Sequence, residues 1–312
     1  MSREILLSIC VPTCKREYIV REMLNSIFSQ DVDQNLFEVC ITDNSETDET
    51  KRVIEQEFSG IANLFYKKVT CKGFLNSLEA LKFGHGKLLK LHNDYSIFKP
   101  GALQKMIDVI KKYETIRPEI FFSMHELKQK NALNEFDSFD EFMYNIGYFS
   151  TWSTSFSIWR TDLEALMLTN IKTNYMYPHT TLLYKLTDKK KYVVDDFEYV
   201  TNLRPKKKGG YNLVDNFVRI YLTMLENDLL VERYISLETY KKIKNDIIRF
   251  VAFWYCEVKH SDNYTFTFEN YNKLIKNKCG ITGVAKFHIF NIWYVVKYYL
   301  RNIVKEKCVR AK

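Results

Sequence analysis

Glycine is missing from the place where a phosphate-binding loop would need it. The first strand-to-helix turn reads Pro12-Thr13-Cys14-Lys15-Arg16. Neither G-x-G-x-x-G nor a Walker A loop can be written through it, so the backbone cannot close on a pyrophosphate in either of those ways. Metal-type cysteine spacing is missing too. The seven cysteines are Cys10, Cys14, Cys40, Cys71, Cys256, Cys279 and Cys308. Their number is odd, and Cys10 ends a strand while Cys14 lies in a loop, so reduced thiols are the expectation. The chain does not open on a charged segment followed by a long apolar stretch, and no uncharged apolar run reaches the roughly 18 residues of a membrane span. These absences predict a protein without signal peptide or transmembrane helix, cytoplasmic and free to sit peripherally on the inner face of the cell membrane. Internal repeats and low-complexity linkers are also absent.

What is present suits a large α/β domain. The 312 residues are 46% apolar, with 22 Phe and 21 Tyr, and the net charge of +8 favours an anionic partner. Apolar runs of strand length alternate with stretches of helical period. Strands are predicted at residues 5–11, 37–42, 63–69 and 88–91, with Pro12 ending the first. Helices are predicted over 17–29, after the Asp43–Asp48 turn, and from Gly73 to a stop at Gly84, with Leu75, Leu78 and Leu81 inward. This β-α-β-α-β-α-β order predicts a doubly wound, mostly parallel sheet. Such a sheet gathers the loops after its strands at one edge, so Thr13, Asp43, Gly73 and Asp94 should converge there.

Two segments, Ile9-Cys10-Val11-Pro12-Thr13-Cys14-Lys15-Arg16 and Ile41-Thr42-Asp43-Asn44-Ser45-Glu46-Thr47-Asp48, resemble the opening of family 2 glycosyltransferases. The usual form is V-P-x-Y-N followed by V-x-D-D-x-S-x-D. Leu91-His92-Asn93-Asp94 falls at the spacing of that family's D-x-D, and Pro100-Gly101-Ala102-Leu103 matches its following P-x-x-L. Tyr175-Met176-Tyr177-Pro178-His179 resembles a segment of the abequosyltransferase-like enzymes of bacterial O-antigen assembly. The resemblance covers about residues 5–205.

It implies a GT-A fold, a nucleotide-sugar donor, a glycan or lipid-linked glycan acceptor, and inversion at the anomeric carbon. The implied halves are 1–100 for the donor and 101–212 for the acceptor, followed by a helical region over 213–312. Pro12, Thr13, Lys15, Arg16, Asp43, Gly73, Asn76, His92, Asn93 and Asp94 would surround the donor nucleotide, with Asp43 reading the base. Asp94, with His92, would hold a divalent cation, Mn²⁺ or Mg²⁺. The sequence departs from the pattern here, since His92 replaces the first acid of D-x-D and imidazole suits Mg²⁺ poorly. Thr42 likewise replaces the first acid of the D-D pair.

In the second half, helices are predicted at 102–113, 136–146 and from Pro178. Strands are predicted at 119–125, 156–159 and near 192–195. Trp152 and Ser153 lie in the region that lines the acceptor site in the family. The family's usual E-D pair, whose Asp is the general base, is replaced by Pro178-His179, which makes His179 the expected base. Asp137, Asp140, His125 and Glu126 are the other candidates. Arg204, Lys206 and Lys207 stand in a basic loop that could close on a diphosphate.

Helices follow from 213, the last over 285–305. Residues 285–312 hold seven Lys or Arg against one Glu, beside an apolar stripe of Ile289, Ile292, Trp293, Val296, Leu300 and Ile303. That composition fits a helix meeting an anionic membrane surface. Nucleic acid is not an expected partner, because the positive charge concentrates in one helix and one loop. The expected function is an inverting glycosyltransferase of bacterial surface polysaccharide synthesis. The alternatives are a nucleotidyltransferase-like nucleotide-sugar enzyme and a non-catalytic basic protein binding membrane or glycan.

Overall fold

In this computed structural model the chain divides by its internal contacts into two units, Met1–Arg204 and Pro205–Lys312. The structure describes residues 4–203 and 208–310.

The first unit begins with β1 (Leu7–Thr13), α1 (Glu17–Phe28), β2 (Phe37–Asp43), α2 (Glu49–Glu57), β3 (Leu64–Lys68), α3 (Asn76–Phe83) and β4 (Leu88–Leu91). It continues with β5 (Ser96–Phe98), α4 (Ala102–Tyr113), β6 (Glu119–Phe122), β7 (Leu133–Phe136), α5 (Phe139–Ile146), β8 (Ser157–Trp159), α6 (Arg160–Leu168), α7 (Pro178–Leu183), β9 (Tyr192–Asp195) and β10 (Val200–Asn202). The main sheet has the order β3-β2-β1-β4-β8. Its β1–β2, β2–β3 and β1–β4 pairs are parallel, and β8 closes it antiparallel to β4. β1, β2 and β4 are buried almost throughout, as strands covered on both faces must be. Ile9, Val11, Val39 and Ile41 pack in one core with Val20, Leu24 and Ile27 of α1 and Leu103, Ile107 and Ile110 of α4. A second sheet, β6-β9-β7, pairs β6 and β9 in parallel.

Several local expectations are corrected: the predicted strand at 119–125 stops at Phe122, and the predicted helix at 136–146 starts at Phe139, with Phe136 in β7. Pro12 does not end β1. It pairs with Thr42 inside the ladder, which continues to Thr13 opposite Asp43. Gly73, at φ +52°, opens a tight turn over Gly73–Leu75, and the α-helix proper starts at Asn76. That helix turns Asn76, Ser77, Ala80 and Leu81 inward, while Leu75 and Leu78 are only half-buried. The burial of two polar residues has a reason in the site described below. Ser138 is the observed cap of α5, its hydroxyl accepting from the Glu141 amide.

In the second unit, Lys208–Asn212 pairs in parallel with Tyr264–Thr267. A wide-turned helical run occupies 215–230. The helix Leu237–His260 is capped by the Ser236 hydroxyl on the Thr239 amide. The last helix, Tyr271–Arg310, starts well before the predicted 285 and is interrupted at Gly280, whose φ of +71° lies outside helical space. Many of the aromatics gather between these two helices. Phe253 meets Tyr294 at 5.3 Å, and Tyr255 meets Phe287 at 5.5 Å between ring centroids.

Candidate functional site

The parallel pairing of β1, β2 and β4 brings the loops that follow them to one edge. Asp94 lies there, almost fully buried. Its Oδ2 accepts from the Thr13 hydroxyl at 2.8 Å, and its Oδ1 accepts from the Arg16 guanidinium at 2.8 Å. Burial pushes the Asp94 carboxyl up, and the Arg16 charge and Thr13 hydroxyl pull it back. Arg16 stands at the entrance to α1, 39% exposed, over the ring of Tyr95. Asn93 Nδ2 donates to the Tyr95 hydroxyl at 2.9 Å. Asn93 Oδ1 accepts from the Ser153 hydroxyl at 3.0 Å, which ties the donor-side loop to the loop expected to face the acceptor. Trp152 is half-buried, packed on Phe149 and Tyr148.

Other expected donor residues are spent on building this edge. Asn76 Nδ2 donates to the carbonyls of Thr13 and Thr42 and to Asn44 Oδ1, which clamps β1 to β2 and explains its burial on α3. Asp43 is fully buried. One of its oxygens accepts from the Ser45 amide and hydroxyl, and the other from Tyr66 at 3.0 Å with Lys68 at 3.7 Å. Lys15, at φ +55°, donates its amide to Ser45, and its ammonium pairs with Glu46 on the surface. Gly73 lies exposed with open space where a Cβ would stand. Arg204, Lys206 and Lys207 lie outside the described residues.

His92 does not sit beside Asp94 as a ligand would. Its ring stacks on Phe98 at 4.8 Å and 13°, and Nε2 lies 2.8 Å from the Ser96 carbonyl. That carbonyl can only accept, so Nε2 carries the proton. Burial, with the Lys90 charge, pushes the imidazole down to about 3, and it is neutral. Lys90 is itself buried and pushed down to about 7 by desolvation, its ammonium donating to the Leu91 and Thr154 carbonyls. The donor set therefore fits a divalent cation through Asp94 alone. A second group of ligand types, Glu38, Cys40 and His85, has its ligand atoms within 4.8 Å of one another, but Glu38 and Cys40 lie on β2 before the edge that carries Asp43.

His179 is also turned away from solvent. Its Nε2 lies 3.0 Å from the Thr151 carbonyl, its Nδ1 is buried without a partner among the described residues, and burial pushes it down to about 4. The neighbouring Thr180 hydroxyl holds the Ser150 carbonyl. The start of α7 thus anchors the backbone that leads into Trp152 and Ser153.

His125 is placed differently. It follows β6, at the edge where β6 and β9 end together. Met124 and His125 both have left-handed backbones, at φ +57° and +64°, a costly arrangement for two side-chain-bearing residues in succession. The Asp196 carboxylate stabilises this turn. It accepts from the Ser123 hydroxyl and from the Leu127 and Gln129 amides. His125 Nδ1 lies 3.1 Å from the Asp196 carbonyl and 3.4 Å from its carboxylate, and the ring is 48% exposed. Nδ1 is thus committed inward as the donor. The adjoining Glu126 charge acts on Tyr95, whose hydroxyl is pushed up to about 12 chiefly by burial and then by Asp94. The Asp195-Asp196 pair closing a predicted strand, like Asp43 and Asp94, was the sequence signal for this second carboxylate.

Residues 8–162 match the family described as Glycosyl transferase family 2. A 51-residue segment is 41% identical to the abequosyltransferase RfbV of Salmonella typhimurium (strain LT2), covering 16% of this chain and 15% of that protein. Among solved structures, S. aureus TarS 1–349 is similar with a TM-score of 0.57 at 16% identity, covering 95% of this chain and 92% of that one. The same fragment in complex with UDP-GlcNAc gives 0.57 at 15% identity, covering 93% and 91%. The mannosyltransferase PcManGT of Pyrobaculum calidifontis, in complex with GDP-Man and Mn²⁺, gives 0.51 at 13% identity, covering 93% and 88%. The chain spans 43% of the longer S. aureus TarS structure. These likenesses show the GT-A fold: a mixed α/β unit with a parallel-rich sheet flanked by helices, followed by a C-terminal helix.

Proposed function

We propose, on the premise that residues 8–162 belong to glycosyltransferase family 2, that this protein moves a sugar from a nucleoside-diphosphate-sugar to a hydroxyl of a glycan or lipid-linked glycan. The process it serves is the building of a bacterial surface polysaccharide. The observation that carries this reading is the Thr13–Asp94–Arg16 constellation at the carboxyl edge of the sheet, joined through Asn93 to Ser153. The donor half is assigned to residues 1–100, the acceptor half to 101–212, and the helical region to 213–312.

The reaction is a single displacement with inversion. The acceptor hydroxyl gives its proton to a base, and its oxygen bonds to the anomeric carbon. The bond from that carbon to the diphosphate oxygen breaks, and its electron pair leaves on the nucleoside diphosphate. Arg16 supplies positive charge beside the diphosphate, held in place by Asp94. A divalent cation, Mn²⁺ or Mg²⁺, held by Asp94 would neutralise the same leaving charge. His92 serves as a packing residue under the edge. The structural neighbours named above carry UDP- and GDP-linked donors, which supports a nucleoside-diphosphate-sugar as donor here.

We assign the base to His125 in place of His179. Among the described residues the Nε2 of His125 has no hydrogen-bond partner, while Nδ1 is held by Asp196. His179 would have to become a buried cation, and its Nε2 already holds the Thr151 carbonyl. It acts as a positioning residue for Trp152 and Ser153.

The test is thermal stabilisation and nucleotide release across a panel of UDP-, GDP-, CDP- and dTDP-sugars, with and without Mn²⁺. At least one donor should raise the melting temperature and release nucleotide when acceptor is added. A flat response to every donor would overturn the reading.

A further inference from the structure

The last helix carries seven large apolar side chains that stay largely exposed among the described residues. Ile281, Ile289, Ile292, Trp293, Val296, Tyr299 and Leu300 are between 46% and 74% exposed. Their spacing places them on one side of the helix, over an arc of about 120°. The opposite side is packed. Phe287 is fully buried, Tyr294 meets Phe253, and Tyr298 lies 4.5 Å from His260. One edge of the exposed stripe carries Lys286, Lys297 and Arg301, all exposed, with the Lys297 ammonium 4.7 Å over the Trp293 ring. From Asn270 to Lys305 the sequence holds no Asp or Glu.

We propose that this face docks on an anionic lipid bilayer, with the helix lying in the plane of the headgroups. Charge complementarity selects this occupant: an acid-free apolar stripe edged by cations fits apolar acyl chains beneath negative headgroups. A second copy of the chain would bring the same cationic edge and no acid to meet it. Tyr271–Arg301 is long and apolar enough to span a membrane, but spanning is opposed by its partner helix. The packed side leans on Leu237–His260, where the Arg249 guanidinium stacks on Phe290 at 5.4 Å and Lys259 on Tyr255 at 4.4 Å. A spanning helix would draw those charges into hydrocarbon, whereas an in-plane helix leaves them in water. Gly280 permits the bend between the segment before it and the docking segment. The proposal stands independently of the transfer reaction, and it would bring the protein to a lipid-linked acceptor.

The test is co-sedimentation of the full chain with phosphatidylglycerol–phosphatidylcholine vesicles and with pure phosphatidylcholine vesicles. Three flanking cations predict binding on the order of 10- to 100-fold tighter to the anionic vesicles, weakening as salt rises. Ile292→Glu with Val296→Glu should abolish sedimentation while the melting temperature and the donor-induced shift stay unchanged. Lys297→Glu with Arg301→Glu should remove the preference for anionic lipid. If the glutamate variant misfolds, hydrogen exchange of the unaltered protein decides the matter: residues 281–300 should become protected when vesicles are added. Absence of vesicle binding, or binding that ignores both pairs of substitutions, overturns the proposal. A dimer in solution that Ile292→Glu dissociates would overturn it in favour of a second copy.

Discussion

Replacing His92 by Asp restores the family's D-x-D pattern and separates two accounts of this position. If the residue were a metal ligand, the variant should bind Mn²⁺ better at little structural cost. The structure requires the opposite. The side chain is fully buried, stacked on Phe98, and donates to the Ser96 carbonyl. An Asp there cannot reach a comparable donor and would stay protonated, which at pH 7 costs about 4 kcal/mol relative to its ordinary ionisation. Loss of the stack adds roughly 1 kcal/mol, and the unpaired Ser96 carbonyl adds about 1–3 kcal/mol. Lys90, buried nearby and pushed down to about 7, can offset part of this by taking up a proton. A net loss of about 4–6 kcal/mol in a unit of this size lowers the melting temperature by roughly 10–20 °C. His92→Gln keeps an N–H for Ser96 and should lose about 1–2 kcal/mol. Thermal unfolding with and without millimolar Mn²⁺ reads both variants. A His92→Asp protein that melts with the unaltered one and gains Mn²⁺-dependent stabilisation would refute the reasoning.

Further outcomes follow from the same geometry. Stability should fall as pH drops below 6.5. His92 and His179 stay neutral in the folded chain down to about 3 and about 4, whereas the unfolded chain takes up their protons near 6.5. The unfolded state then binds more protons, so each histidine removes about 2 kcal/mol between pH 6.5 and 5. Urea unfolding at pH 7 and pH 5 should show that difference shrink in His92→Gln and in His179→Gln, and unchanged pH dependence in both would contradict their burial. Asp94→Ala should abolish transfer and donor-induced stabilisation, and full activity would remove the assigned site. His125→Gln should cut turnover by about 100-fold or more with donor binding kept. His179→Gln should instead raise the acceptor KM, and the reverse pattern would return the base to His179. Asn76→Ala should cost about 2–3 kcal/mol, since it leaves the Thr13 and Thr42 carbonyls without their shared donor. Donor binding would fall with it if that clamp sets the edge.

Local pattern alone determined the order of elements. Apolar runs of strand length set between helical periods place β1, β2, β3 and β4 within a residue or two of where they stand, because burial of a strand or helix face is written into neighbouring residues. The convergence of Thr13 and Asp94 was legible for the same reason, since parallel strands share a carboxyl edge whatever their loops contain. Side-chain direction beyond the strand ends was not legible. His92 and Asp94 are two residues apart and look like a pair, yet the chain turns after Leu91, and β5 brings Phe98 under His92 while Arg16 closes on Asp94. Pro12 looked like a strand breaker because its missing N–H is a local fact. The strand tolerates it because β1 continues on the Thr42 and Asp43 register. The contacts of Asn93 with Ser153, of His125 with Asp196 and of Asn76 with Thr13 span 60 to 71 residues of chain. Only tertiary packing decides which polar atoms meet across such distances, because each buried donor takes whichever acceptor the packed core leaves within reach.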